Sequence, residues 1–264
     1  MSSVTHIDSS NAYRRGESNG ARVAAFFDID GTLLPLPSLE RRFVAELRQE
    51  GLIPAGNYLR WLGTAIRLAR RGVLHSIHGN KAYLRNVPVR VLSFRQFAFF
   101  PEAIRRVAWH ASQGHAVILV SGTLDLLAQQ VALALTLRLA MRGVTAKIGV
   151  CATRAERIAG SYTGKIVGPA NFAEEKMIAV RRIAREDGFD LARSFAYSDS
   201  ANDRWMLGAV GKAAAVNPSP ELRRIAMLRR WPVFDWSSED AAGSTTHTQF
   251  DAPLFRGIPS ENVQ

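Results

Sequence analysis

The chain has 264 residues, 47% of them hydrophobic and 22% charged, which is enough to bury one large core or a core with a modest insertion. Its single cysteine, Cys151, excludes an internal disulfide and suits a reducing, cytoplasmic setting. The formal net charge of +11 favours anionic partners, but the basic residues are scattered through helical segments without a nucleic-acid module, so no nucleic-acid partner is expected.

Residues 1–21 are polar, lack an apolar segment of the secretory kind and read as a flexible leader. Arg22–Asp28 is an apolar run ending in acid, the pattern of a buried strand, and a Gly-Thr turn follows. From Pro37 to Arg71 the spacing of Phe43, Leu47, Leu59, Leu62 and Ile66 is helical, broken by Gly51, Pro54 and Gly56. Pro101 opens a helix that Gly114 ends, and His115–Val120 is a second buried strand with Ser121-Gly122-Thr123 behind it. A helix to Leu139, a strand near Lys147–Ala152 and a hairpin from Arg157 to Val167 follow, with Gly160 and Gly164 expected in the turns. Glu174–Asp187 is helical, Ser194–Tyr197 is a strand ending in Ser198-Asp199, and Lys212–Val216 is the last core strand before a helix from Pro220. The greasiest runs, Ala116–Val120 and Val131–Leu137, fall far short of the roughly 18 apolar residues of a membrane-spanning helix.

Alternating strands and helices predict an α/β fold, a Rossmann-like doubly wound parallel sheet. The expected division is a core of residues 22–36 and 106–236, a mostly helical insertion at 37–105 and a flexible tail at 237–264. Polar groups fall just after buried strands: Asp28 and Asp30 after the first, Ser121 after the second, Asp199 and Asp203 after a later one. Such ends gather on one side of a parallel sheet, where ligands bind, so these groups are expected to meet.

Phe27-Asp28-Ile29-Asp30-Gly31-Thr32 resembles the DxDGT signature of haloacid dehalogenase-like phosphatases. Ser121-Gly122-Thr123, Lys176 and Tyr197-Ser198-Asp199-Ser200-Ala201-Asn202-Asp203 resemble that family's second, third and fourth motifs, in order. Within the family the chain resembles the phosphoserine-phosphatase-like subfamily, which carries a small helical cap between the first two motifs. The resemblance implies that Asp28 attacks phosphorus to form an aspartyl-phosphate and that Asp30 protonates the leaving alkoxide. It implies Mg²⁺ held by Asp28, the Asp30 carbonyl and Asp199, and a small phosphorylated substrate held by Ser121, Gly122, Lys176 and Asn202. Asp203 is expected to orient Lys176 or a metal-bound water rather than to touch the metal.

The family's phosphoserine phosphatases carry an acid soon after the first motif that holds the substrate ammonium. Pro37 stands at that spacing here, with Ser38 and Glu40 nearby, which argues against phosphoserine. Arg41, Arg42, Arg60 and Arg67 are either a clamp for a second anionic group or solvated helix residues, and Tyr58 and Trp61 are expected in the core of the insertion. His75 and His78 lack a third ligand and read as surface histidines. Two rivals stand beside the small-metabolite reading: action on a lipid-phosphate head group, with peripheral membrane contact, and a catalytically idle binding protein. The oligomeric state is not legible.

Overall fold

The computed structural model describes residues 22–69, 79–90, 92 and 97–237. The expected leader, nearly all of the tail, and Arg70, Arg71, His75 and His78 lie outside the described residues.

Strand β1 (Ala24–Phe27) is buried at all four positions and lies inside a parallel sheet. It pairs with β2 (Ala116–Leu124) on one side and β6 (Phe195–Ser198) on the other. Beyond β2 lies β3 (Ile148–Thr153), and beyond β6 lie β7 (Lys212–Val216) and β8 (Val233–Phe234), in the order β3-β2-β1-β6-β7-β8. Continuous apolar runs such as AAFF and AVILV are what a sheet covered on both faces demands. The side-chain period of two divides them. Phe27 and Leu119 face a core shared with helices α3 (Pro101–Ser112) and α4 (Asp125–Ala140), through Val107, Leu127 and Val131. Phe26 and Ile118 face a second core shared with α5 (Glu174–Asp187), α6 (Arg204–Leu207) and α7 (Pro220–Arg229), through Val180, Met206 and Leu222. Each such buried side chain contributes about 1.5–3 kcal/mol relative to exposure.

The stretch between β1 and β2 carries helices α1 (Leu39–Gln49) and α2 (Gly56–Ala69), separated where Gly51 and Pro54 break the pattern. Leu39, Phe43 and Leu47 of α1 join the first core. Asn57 anchors α2 by donating to the Tyr83 and Arg85 carbonyls at 3.0 and 2.7 Å. An antiparallel hairpin of β4 (Ala155–Ile158) and β5 (Ser161–Ile166) adds residues 86–89 to its edge: the Asn86 N–H donates to the Tyr162 carbonyl at 2.8 Å and the Tyr162 N–H to the Val87 carbonyl at 2.9 Å.

Several expectations shift. Ser121-Gly122-Thr123, expected behind the second strand, lies inside β2, and α4 starts at Asp125 after an N-cap at Leu124. Gly160 turns the hairpin together with Ala159, both at positive φ. Gly164 instead lies within β5, where an added Cβ would meet Arg85 and Ala82 at 3.1 and 3.2 Å; it admits the neighbouring turn. The expected boundary at 105/106 falls within α3, a continuous helix. Strand β8 was not expected, because two residues carry no periodicity. Tyr58 is exposed and Trp61 half-buried, unlike the core residues expected of them. Among the described residues no helix is long and apolar enough to cross a membrane.

Candidate active site

The carboxyl ends of β1, β2 and β6 bring the marked residues to one edge of the sheet. Asp28 follows β1 directly, and its backbone N–H donates to the Tyr197 carbonyl at 3.0 Å, which fixes its start. Lys176, in the first turn of α5, reaches it: Nζ lies 2.6 Å from Asp28 Oδ1 and 2.7 Å from Asp203 Oδ2. Lys176, Asp28 and Asp203 are 3%, 6% and 2% exposed, so this is a desolvated cluster, in which an ion pair survives only if its partners are well bonded. Ser198 Oγ adds a donor to Asp203 Oδ2 at 2.6 Å.

Asp199 enters from the end of β6 and packs against Gly31. A Cβ on Gly31 would fall 2.1 Å from Asp199 Oδ2, and Gly31 sits at φ +79°, where a side chain is strained in any case. Gly31→Ala is therefore expected to displace Asp199 and to cost about 1–3 kcal/mol, read as a lower denaturation midpoint; a variant as stable as the parent would contradict this packing. Asn217 donates to the Gly31 carbonyl at 3.4 Å and accepts from the Trp236 N–H at 2.6 Å, tying this turn to the end of β7 and to the start of the tail. Beside it opens a cleft of about 420 Å³ lined by Gly31, Asp199, Pro35, Leu36, Phe100 and Trp236.

Asp30 points to the insertion. Its Oδ1 accepts the Leu39 N–H, at the start of α1, at 2.6 Å. On the other side of Asp28, Ser121 is buried, and its Oγ accepts the Thr123 N–H at 3.2 Å. Asn171, absent from the sequence reading, holds this region: its Nδ2 donates to the Ser121 and Cys151 carbonyls at 3.1 and 2.8 Å. Thr153 Oγ1 completes the brace, donating to the Gly122 carbonyl at 2.9 Å and accepting the Asn171 N–H at 3.0 Å. Nothing in hydrophobic patterning marks a side chain whose whole role is to bond two carbonyls. Asn202 lies in the turn after Asp199 and bonds Ser200 Oγ, at 3.3 Å from both its N–H and its Nδ2.

Charge is unbalanced here. Burial raises the Asp28 pKa well above the carboxylate range; Lys176 pulls it down, while Asp203, Asp199 and Asp30 push it up. Burial, then Asp203, raises Asp199 to about 7. Burial also raises Asp30, against the bond from Leu39 and the field of Lys176. For Lys176 burial acts downward, but Asp203 and Asp28 outweigh it and hold the ammonium charged well above its usual range. One ammonium among several carboxylates leaves net negative charge in a place with little water. Hard oxygen donors with surplus negative charge suit Mg²⁺. Among the described residues no three His, Cys, Asp or Glu side chains form a metal site by themselves. The set expected here needs only two, Asp28 and Asp199, with a main-chain carbonyl.

Of the arginines weighed as a clamp, Arg42 donates to the Pro35 and Pro37 carbonyls, while Arg41 and Arg60 are exposed. The Arg67 side chain lies outside the described residues. Glu40 accepts from Lys81 Nζ and Tyr83 OH, both at 2.5 Å, so its carboxylate already carries two donors.

The sequence profile of haloacid dehalogenase-like hydrolases matches residues 25–208, which takes in every one of these groups except Asn217 and Trp236. The chain belongs to the haloacid dehalogenase-like hydrolase family. Within that family it is 32% identical over 234 residues to phosphoserine phosphatase SerB1 of Mycobacterium tuberculosis, covering 81% of this chain and 70% of SerB1. A Bordetella pertussis Tohama I protein of unknown function superposes with a TM-score of 0.62 at 29% identity, over 82% of this chain and 99% of that one. A substrate-bound phosphoserine phosphatase superposes at 0.51 with 20% identity, over 81% and 92% of the two chains, a likeness that speaks to the fold. The haloacid dehalogenase-like assignment and the α/β sheet expected from sequence therefore agree.

Proposed function

We propose that the chain is a Mg²⁺-dependent phosphomonoester hydrolase acting through an aspartyl-phosphate on Asp28. The observation that carries this is the buried triad of Asp28, Lys176 and Asp203 at the end of the central strand, with Asp199 beside it and Ser121 on the next strand. The family membership and the name of SerB1 support the same reaction class.

In this reading an Asp28 carboxylate oxygen attacks phosphorus and the bond to the leaving oxygen breaks. Asp30, whose affinity for a proton burial raises, gives that proton to the departing alkoxide. It then takes a proton from the water that attacks the aspartyl-phosphate, releasing inorganic phosphate and restoring Asp28. Ser121 Oγ, whose own hydrogen remains free to donate, and the Gly122 N–H bind phosphoryl oxygens, with Asn202 at the rim. Lys176 keeps a fixed positive charge beside the nucleophile, most valuable as charge builds on the transferring group. Asp203 and Ser198 hold the ammonium in place. Mg²⁺, held by Asp28, Asp199 and the Asp30 carbonyl, would neutralise phosphate charge and hold the nucleophile ionised. Residues 37–105 act as the cap that selects the substrate. Pro37 at the spacing of the ammonium-binding acid, together with a Glu40 already paired to Lys81, points to a substrate other than phosphoserine.

The test is Mg²⁺-dependent hydrolysis of p-nitrophenyl phosphate, abolished by chelator. Its pH behaviour follows from the raised pKa values. In metal-free protein Asp28 and Asp199 keep protons in the folded state that the unfolded chain releases, so they stabilise the fold at low pH. That contribution is lost as pH rises through about 7 for Asp199. Bound cation must displace these protons, so apparent Mg²⁺ affinity rises with pH, and the Asp199 share of that rise, up to about tenfold per pH unit, ends near pH 7. Thermal shifts with and without Mg²⁺ at pH 5.5 and 8 check this; equal shifts at both values would sink it. A second reading, hydrolysis of a phosphate ester carried by a lipid, is favoured by the exposed apolar face of α2.

A further inference from the structure

Helix α2 turns an apolar stripe to solvent. Leu59, Leu62 and Ile66 are 75%, 52% and 65% exposed, and Tyr58 beside them is 43% exposed. At 100° per residue these four side chains span about 100° of the helix, while the buried Asn57 lies on the opposite side. Exposed apolar residues scattered singly need no account, but a contiguous stripe along one helix does.

The charge around the stripe is one-sided. Residues 51–101 contain seven arginines and one lysine and no aspartate or glutamate. Arg48 of α1 is exposed and lies 5.9 Å over the ring of Tyr58 at one edge of the stripe, Arg60 is exposed about 100° round the helix from Leu59, and the sequence adds Arg67, Arg70 and Arg71. An apolar stripe with arginines beside it and no acid is the composition of a helix that lies in a membrane interface. We propose that α2 seats this protein on an anionic lipid surface, with Leu59, Leu62 and Ile66 entering the headgroup region and Arg48, beside Tyr58, meeting lipid phosphates.

Charge decides among the occupants. A second copy meeting face to face would bring together two basic segments, in each of which Glu40 and Glu50 offset Lys81 and Arg90 but no acid of the segment itself offsets the rest, and like charges oppose that contact. A nucleic acid rewards the arginines but gives the leucines nothing to enter. An anionic bilayer satisfies both halves of the pattern. Residues 37–105, read above as the substrate-selecting cap, would then face the membrane, a natural arrangement for a phosphate ester presented by a lipid.

The experiment is co-sedimentation of the full chain with phosphatidylcholine vesicles, pure or containing about 30% phosphatidylglycerol. Partitioning at least roughly tenfold stronger on the anionic vesicles is expected, falling steeply between about 0.05 and 0.5 M salt. The double variant Leu59→Asn with Ile66→Asn is expected to lose most of that binding while keeping its circular dichroism spectrum and its melting temperature. Three results overturn the proposal: no preference for anionic vesicles, full binding by the double variant, or a solution dimer that the double variant dissociates. Vesicle binding is read without turnover, so its failure leaves the phosphatase reading standing, and failed turnover with intact vesicle binding does the reverse.

Discussion

Asp28→Asn is expected to lower turnover of p-nitrophenyl phosphate by at least about four orders of magnitude, some 5.5 kcal/mol of barrier, while leaving the fold intact. The amide has nearly the shape of the carboxylate but is a poor nucleophile, so the loss falls on kcat rather than KM. The stability readout moves the other way. Burial and three acidic neighbours raise the pKa of the carboxylate it replaces, so ionising that group costs the metal-free fold stability as pH rises, and the amide removes the cost. Lys176 keeps Asp203 as a partner at 2.7 Å after the change. Metal-free Asp28→Asn is therefore expected to melt at the parental temperature or above it at pH 8. Rapid quenching of the parent with labelled substrate should capture a base-labile phosphoryl-protein that the variant never forms. A variant that retains turnover would remove Asp28 as nucleophile and the proposed reaction with it.

Lys176→Met is expected to do the opposite to stability. It leaves Asp28 and Asp203, 6% and 2% exposed, without the ammonium that lies within 2.7 Å of both. Breaking a buried pair from one side costs about 3–5 kcal/mol, a fall of about 10 °C or more in Tm for a chain of this size. Turnover should fall by about two to three orders of magnitude, as when one preorganised electrostatic contact is removed from a dry site. The deficit has a pH signature. Without Lys176 the main influence lowering the Asp28 pKa is gone, so its folded-state value rises further above the unfolded one. Stability from a raised carboxylate is present at low pH and lost as pH rises through the folded-state value, so the gap between variant and parent widens toward high pH. A gap that closes as pH rises would show that the ammonium does not govern these carboxylates.

The sheet was legible because a doubly covered parallel sheet leaves unbroken apolar runs, and AAFF, AVILV and KAAAV are such runs. Asp28, Ser121 and Asp199 were legible for the same reason: each stands where an apolar run gives way to polar residues, and parallel strands deliver such points to one edge. Lys176 was found only through the motif resemblance, since a lysine in the first turn of a helix has no periodic signal of its own. What was missed depends on contacts distant in sequence. Asn171 bonds carbonyls 50 and 20 residues away, Ser198 supports Asp203 across a turn, and β8 is two residues held by pairing with β7. Helix α2 was misjudged differently: its apolar period was real, but periodicity cannot say whether the apolar side meets a core or water.

The bond from the Leu39 N–H to Asp30 Oδ1 makes the insertion and the proposed proton donor reciprocal partners. It favours the ionised carboxylate, so whatever draws the first turn of α1 away raises the affinity of Asp30 for its proton. By the same linkage, each time Asp30 gives that proton up, the helix is gripped more tightly, by an equal free energy. Acid strength and the anchoring of the overlying helix are two readings of a single equilibrium, and a residue eleven positions from Asp28 can set the chemistry without touching the substrate.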